Sequence, residues 1–137
     1  MTPETRSRVM RAITKKNTRP ERLVRQALHR LGLRFRLHVK GLPGTPDVVL
    51  RRHNLAILVH GCFWHQHRGC RHSKLPRTRQ EYWLPKLERN VERDRQAQQA
   101  LRADGWRSAI IWECEARDPA RLQRRLQQLF GRDQRSG

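Results

Sequence analysis

The chain reads as an α/β protein, a central mixed β-sheet flanked by helices. Three observations predict it. Two helix signatures stand at the start. Short apolar runs rich in β-branched residues, DVVLR and LAILVH, follow each other across the turn RRHN. A long helical stretch then separates them from another apolar run, WRSAIIWEC, before a last helix. With 137 residues the chain fits one domain, 1–137, around one core.

Each element has a local cause. TPETRSRVMRAI reads as a short helix with Thr2 as N-cap and Pro3 in its first turn. Thr18 and Glu21 have capping-box spacing, and Leu23, Val24, Ala27, Leu28 and Leu31 form an apolar stripe that should stop at Gly32. LRFRLHVK alternates apolar and polar residues, as a half-buried strand does. LPGTP is a turn into the buried strand DVVLR. Thr78 and Glu81 repeat the capping-box spacing and open a long helix to Gly105, with a kink expected near Pro85. Asp118-Pro119 opens the final helix, with Leu122, Leu126 and Leu129 on one face.

The charge narrows the partners. Lys and Arg number 31 against 12 Asp and Glu, a formal charge of +19 spread along the whole length. Such an excess calls for a polyanion, and the arginine fork suits phosphate oxygens and guanine edges. No apolar run approaches the roughly 20 residues of a membrane helix. The N-terminus lacks the apolar core of a signal peptide, so a cytoplasmic protein is expected. In that reducing setting three cysteines suit a metal, or ordinary buried thiols, better than disulfides.

The string HGCFWHQHRGC, residues 60–70, concentrates the reactive side chains. Cys62, His67 and Cys70 lie close together, and Cys114 follows the strand IIWE. Three thiols and an imidazole make a Cys3His set that favours Zn²⁺ and leaves no open position, hence a structural ion. His65 and His72 compete with His67 for the fourth place. Asp47 stands at the start of a buried strand, where an acid is costly unless it binds a cation or accepts hydrogen bonds. His60 ends the next strand, and His65 follows shortly. One carboxylate for Mg²⁺ and one imidazole for proton transfer suffice for phosphodiester hydrolysis. Asp94 fixes an imidazole tautomer or belongs to the ERDR charge pattern. Phe63-Trp64 and Tyr82-Trp83 are consecutive aromatic pairs, so at least one ring is core while another is free to stack on bases. Lys86 and Asn90, one helical turn apart, face a groove edge or solvent.

TPETRSRVMRAI, LPGTPDVV, HGCFWHQHRGC, TRQEYWLPKLERNVERD and GWRSAIIWEC together resemble the very-short-patch-repair (Vsr) DNA mismatch endonucleases, in the same order over nearly the whole chain. The resemblance implies a restriction-endonuclease-like fold with a structural zinc. It implies Mg²⁺-dependent nicking of duplex DNA 5′ to the thymine of a T:G mismatch, the lesion left when 5-methylcytosine deaminates. By position, Asp47 matches the metal-binding aspartate and His65 the catalytic histidine. His60 and Asp94 match supporting residues, and Glu21 an acid near the site. Cys62, His67, Cys70 and Cys114 match the zinc ligands. Phe63, Trp64 and Trp83 match a wedge entering from the major groove, and Met10, within an N-terminal arm spanning 1–17, a side chain entering from the minor groove. The resemblance further implies a monomer, mismatch-repair proteins as partners, and a place at the bacterial nucleoid.

Two departures stand out. Val59 occupies a position where well-known members have threonine, which matters if the hydroxyl rather than the backbone carbonyl meets the metal. The loop between His67 and Cys70 is one residue longer. Two rival readings are a zinc-stabilised DNA-binding module without catalysis, and a nuclease indifferent to mismatches.

Overall fold

The structure, a computed structural model, describes residues 18–136; the expected N-terminal helix, and Met10 with it, lie outside the described residues. Helix α1, Arg19–Arg30, begins where Thr18 accepts a hydrogen bond from the Glu21 N–H at 3.3 Å. It ends on Gly32 at φ 75°, with the Gly32 N–H on His29 O and the Leu33 N–H on Leu28 O. That is the paired closure a left-handed glycine permits.

Strand β1 covers only Arg36–Leu37, not the eight residues the alternation predicts. His38 adopts φ 46°, the left-handed region, and turns the chain out of the ladder. β2, Val48–Leu50, is buried throughout. The turn at 51–54 closes on left-handed Asn54 and leads into β3, Leu55–His60. Helix α2, Gln80–Ala103, carries the chain to β4, Arg107–Trp112. One short-range expectation fails here: Arg79, not Thr78, is the N-cap, at φ 60° and with no side-chain cap bond. Pro85 lies inside α2, which runs on past it. A short helix that the sequence reading missed, α3, Glu113–Ala116, follows β4 directly. Then comes α4, Pro119–Ser136, where Asp118 Oδ1 accepts from the N–H groups of Ala120 and Arg121.

The sheet order is β1-β2-β3-β4. β1–β2 and β2–β3 run antiparallel, and β3–β4 parallel. It is therefore mixed, as the sequence predicts. α1 and α4 cover one face, burying Val24, Leu28, Leu55, Ile57, Ile111, Leu122, Leu126 and Phe130 together. α2 covers the other through Ala56, Leu58 and Leu101. Alternation along β3 then sends Leu55, Ile57 and Val59 one way and Ala56, Leu58 and His60 the other. His60 thus points to the α2 side.

Gly44 fixes how close the turn before β2 comes to α2. A Cβ there would lie 2.6 Å from the Ala97 Cβ, and φ is +74°. Gly44→Ala is expected to cost about 2–4 kcal/mol, from overpacking and from backbone strain. Urea denaturation measures it. Adding Ala97→Gly should recover the overpacking part; no recovery would mean that the helix is not the obstacle.

Candidate active site and metal centre

Asp47 leaves the Gly-Thr-Pro turn just ahead of β2. Since Val48 pairs with Ile57, Asp47 comes alongside the end of β3, where the Val59 N–H donates to Asp47 Oδ2 at 2.7 Å. The Val59 side chain packs toward the core shared with α1 and α4, so its backbone is what meets Asp47. On the outer side the His38 N–H donates to Asp47 O at 3.1 Å. The His38 ring meets the Glu21 carboxylate directly, Nε2 against Oε1. Glu21, His38 and Asp47 bring one ligand atom each within 4.8 Å of one another. The Glu21 side chain thus reaches this cluster, while its N–H keeps the cap bond to Thr18.

A second trio stands across the same pocket. The segment after β3 folds back in tight turns, with the His65 N–H on Gly61 O and the His67 N–H on Cys62 O. His65 Nδ1 lies 2.6 Å from Asp94 Oδ2, and His60 Nε2 lies 3.8 Å from Asp94 Oδ1. The two rings stack with centroids 3.8 Å apart. One turn earlier on α2, Asn90 Nδ2 donates to Trp64 O at 3.2 Å and pins the loop. The pocket, about 380 Å³, is lined by His38, Asp47, His60, His65, Asp94 and Arg93 among others. His38 is the residue that the sequence reading missed: it sat in a polar place of an alternating strand, and only tertiary folding brings it to Glu21 and Asp47.

Electrostatics sorts these groups. Burial, opposed by the Val59 N–H and reinforced by Glu21, pushes Asp47 up from 3.8 to about 6. Burial, reinforced by His65, pushes His60 down from 6.5 to about 4, so its imidazole is neutral at pH 7. The signs oppose. Asp47 contributes stability that is complete below about pH 4 and lost as pH rises through 6. The contribution of His60 is complete above 6.5 and lost as pH falls through 4. The metal-free chain should therefore show nearly flat stability between those limits. Asp47→Asn should unmask a progressive loss of urea midpoint toward pH 4; an unchanged flat profile in that variant would refute the balance.

Cys62, His67, Cys70 and Cys114 form the third group, again within 4.8 Å. His67 Nδ1 is 3.7 Å from Cys62 Sγ and 3.5 Å from Cys114 Sγ. A tetrahedral zinc with sulfur at about 2.3 Å and nitrogen at about 2.0–2.1 Å requires edges of about 3.6 Å. The donor set fits that ion. The loop between His67 and Cys70 turns with the Cys70 N–H on His67 O and Gly69 at φ 76°. His65 is committed to Asp94 and His72 is exposed, so neither competitor joins the thiols. Cys114 follows the end of β4, as the sequence predicts, and stands on α3. Burial pushes the Cys62 thiol up to about 12, and a cation in place of the proton relieves that cost. Trp112 lies flat on His67, centroids 4.1 Å apart, and edge-on to His60 at 5.5 Å.

Phe63, Trp64 and Trp83 form a cluster of rings 5.3–5.7 Å apart, half-buried and outside both core clusters. Beside it Lys86 Nζ sits 4.2 Å over the exposed Tyr82 ring. Arg68, Arg71, Arg117 and Arg121 line a cleft next to the cysteine centre. No helix among the described residues is long and apolar enough to cross a membrane.

A carboxylate and paired imidazoles at the end of a mixed sheet, on so basic a chain, define a nuclease class, and a solved structure shares the fold. The catalytic domain of the homing endonuclease I-Bth0305I matches at TM-score 0.56 with 24% identity, over 83% of this chain and 95% of that one. The family model described as DNA mismatch endonuclease Vsr matches residues 1–72. The Type II nicking enzyme V.XorIIP of Xanthomonas oryzae pv. oryzae is 50% identical over 130 residues, 95% of each chain. The DNA mismatch endonuclease Vsr of Escherichia coli (strain K12) is 45% identical over 118 residues, 86% of this chain and 75% of that one. The chain belongs to the Vsr DNA mismatch endonuclease family and is a DNA endonuclease.

Proposed function

We propose that this chain nicks duplex DNA 5′ to the thymine of a T:G mispair, of the kind left by deaminated 5-methylcytosine. The observation that carries the reading is one pocket holding Asp47 on one side and the Asp94–His65 pair on the other. Asp47, held by the Val59 N–H, would hold magnesium, which when bound neutralises phosphate charge and acidifies water. Asp94 takes the hydrogen bond of His65 Nδ1, leaving Nε2 as the base that accepts a proton from the attacking water. His60, neutral and stacked on His65, keeps that ring oriented without adding a competing charge.

Zinc at Cys62, His67, Cys70 and Cys114 would hold the loop that carries His65 and the wedge. Arginines, including those of the cleft beside the cysteines, follow the phosphates. Phe63, Trp64 and Trp83 would enter at the mispair, with Lys86 and Asn90 beside them. A wobble pair stacks poorly, so opening it costs less than opening a matched step. Base stacking is worth roughly 1–3 kcal/mol, enough to favour the mispair by about tenfold or more. The N-terminal arm with Met10 would close from the minor groove. A single chain of one domain acts per mispair, at the nucleoid and alongside mismatch-repair proteins.

Nicking of T:G and T:A duplexes with Mg²⁺ or EDTA tests this. Wild type should cut T:G at least about tenfold faster, and Trp64→Ala should shrink that ratio toward one. Equal cutting of both duplexes by wild type would leave an indiscriminate nuclease; no cutting would leave a binding module.

A further inference from the structure

We infer that His38 supplies an imidazole ligand to the cation at Asp47, making this a mixed nitrogen–oxygen site that takes Mn²⁺ in preference to Mg²⁺. The inference rests on the reading of Asp47 as the cation holder.

Four observations support it. Glu21, His38 and Asp47 converge within 4.8 Å, the spacing of ligands around one ion. Two carboxylates face each other there, Glu21 being 2% exposed, and such a pair is stable beside a cation. Asp47 Oδ2 accepts from the Val59 N–H, which orients a carboxylate that keeps lone pairs for a metal. His38 sits at φ 46°, a conformation that residues with a side chain keep where the surroundings impose it, often at functional sites. The imidazoles across the pocket group with Asp94, His65 bonding it and His60 stacking on His65. His38, whose Nε2 meets Glu21, is the imidazole that groups with Asp47. An all-oxygen set with waters suits Mg²⁺, whereas an imidazole ligand raises affinity along the transition series.

The test is Mn²⁺ titrated onto the full chain, its cysteine centre loaded with zinc, and followed by electron paramagnetic resonance with electron spin-echo detection. Wild type should bind one Mn²⁺ with a nitrogen modulation that changes when the histidines carry ¹⁵N. Competition should show about tenfold or greater preference over Mg²⁺. His38→Gln should retain bound Mn²⁺, lose the modulation, and lose most of the preference; Asp47→Asn should bind none. Bound Mn²⁺ without nitrogen modulation in wild type would overturn the role of His38 and leave that of Asp47 standing. The same modulation in His38→Gln would overturn it equally, by assigning the nitrogen to another ring. No bound Mn²⁺ in wild type would overturn both readings. The ¹⁵N measurement needs no variant, so the inference stays open to refutation even if His38→Gln folds poorly.

Discussion

Asp47→Ala is expected to nick a T:G duplex at least about 10³-fold more slowly than wild type, while binding it with similar affinity. The reasoning is local. Without this carboxylate the pocket loses the ligand that the Val59 N–H holds in place at 2.7 Å. Losing about 4 kcal/mol of charge stabilisation at the phosphate corresponds to about 10³-fold in rate. Binding should survive because the charge that attracts DNA lies in the arginines. Removing an acid from a polyanion-binding surface does not repel DNA. Single-turnover nicking and gel-shift titration, run side by side, separate the two effects. His65→Ala should fall in the range of about 10²–10⁴-fold, the usual worth of a positioned proton acceptor. Wild-type rates in either variant would remove that residue from the chemistry.

The second large effect concerns the cysteine centre. The purified chain is expected to carry one zinc per molecule, and Cys114→Ser should lose it together with at least about 3 kcal/mol of stability. For a chain of this size that corresponds to a fall in Tm of roughly 10 °C. Elemental analysis and thermal unfolding check both parts. A folded, zinc-free variant with an unchanged Tm would reduce the four side chains to bystanders. The expected loss is large because the segment 61–70 is held by tight turns and contributes one fully buried apolar side chain, Cys62, to the interior.

Much of this was legible in the chain because the signals are local. Thr18 before an apolar stripe, Gly32 after it, and Asp118 ahead of Pro119 each mark a boundary through a backbone hydrogen bond or a left-handed turn, and the structure has a boundary at each. The apolar runs of β2, β3 and β4 were legible because strands covered on both sides need few polar residues. The cysteine cluster was visible as composition. What was not legible depends on distance. His38 ends β1 early and meets Glu21, 17 residues away in sequence, and no spacing rule links them. Arg79 displaces Thr78 as the start of α2 by adopting a left-handed conformation that arginine has no intrinsic reason to choose. The four residues of α3 are too short for any periodicity to register. His67 was read among the thiols from its spacing, but the reason His65 stands apart, its bond to Asp94 on another element, was not visible.

Trp112 touches the rings of both His67 and His60. One indole therefore stands between the cysteine group and the stacked pair of His60 and His65. On the proposed roles, damage to the thiols is expected to slow nicking before the fold gives way, because a single plane borders both groups.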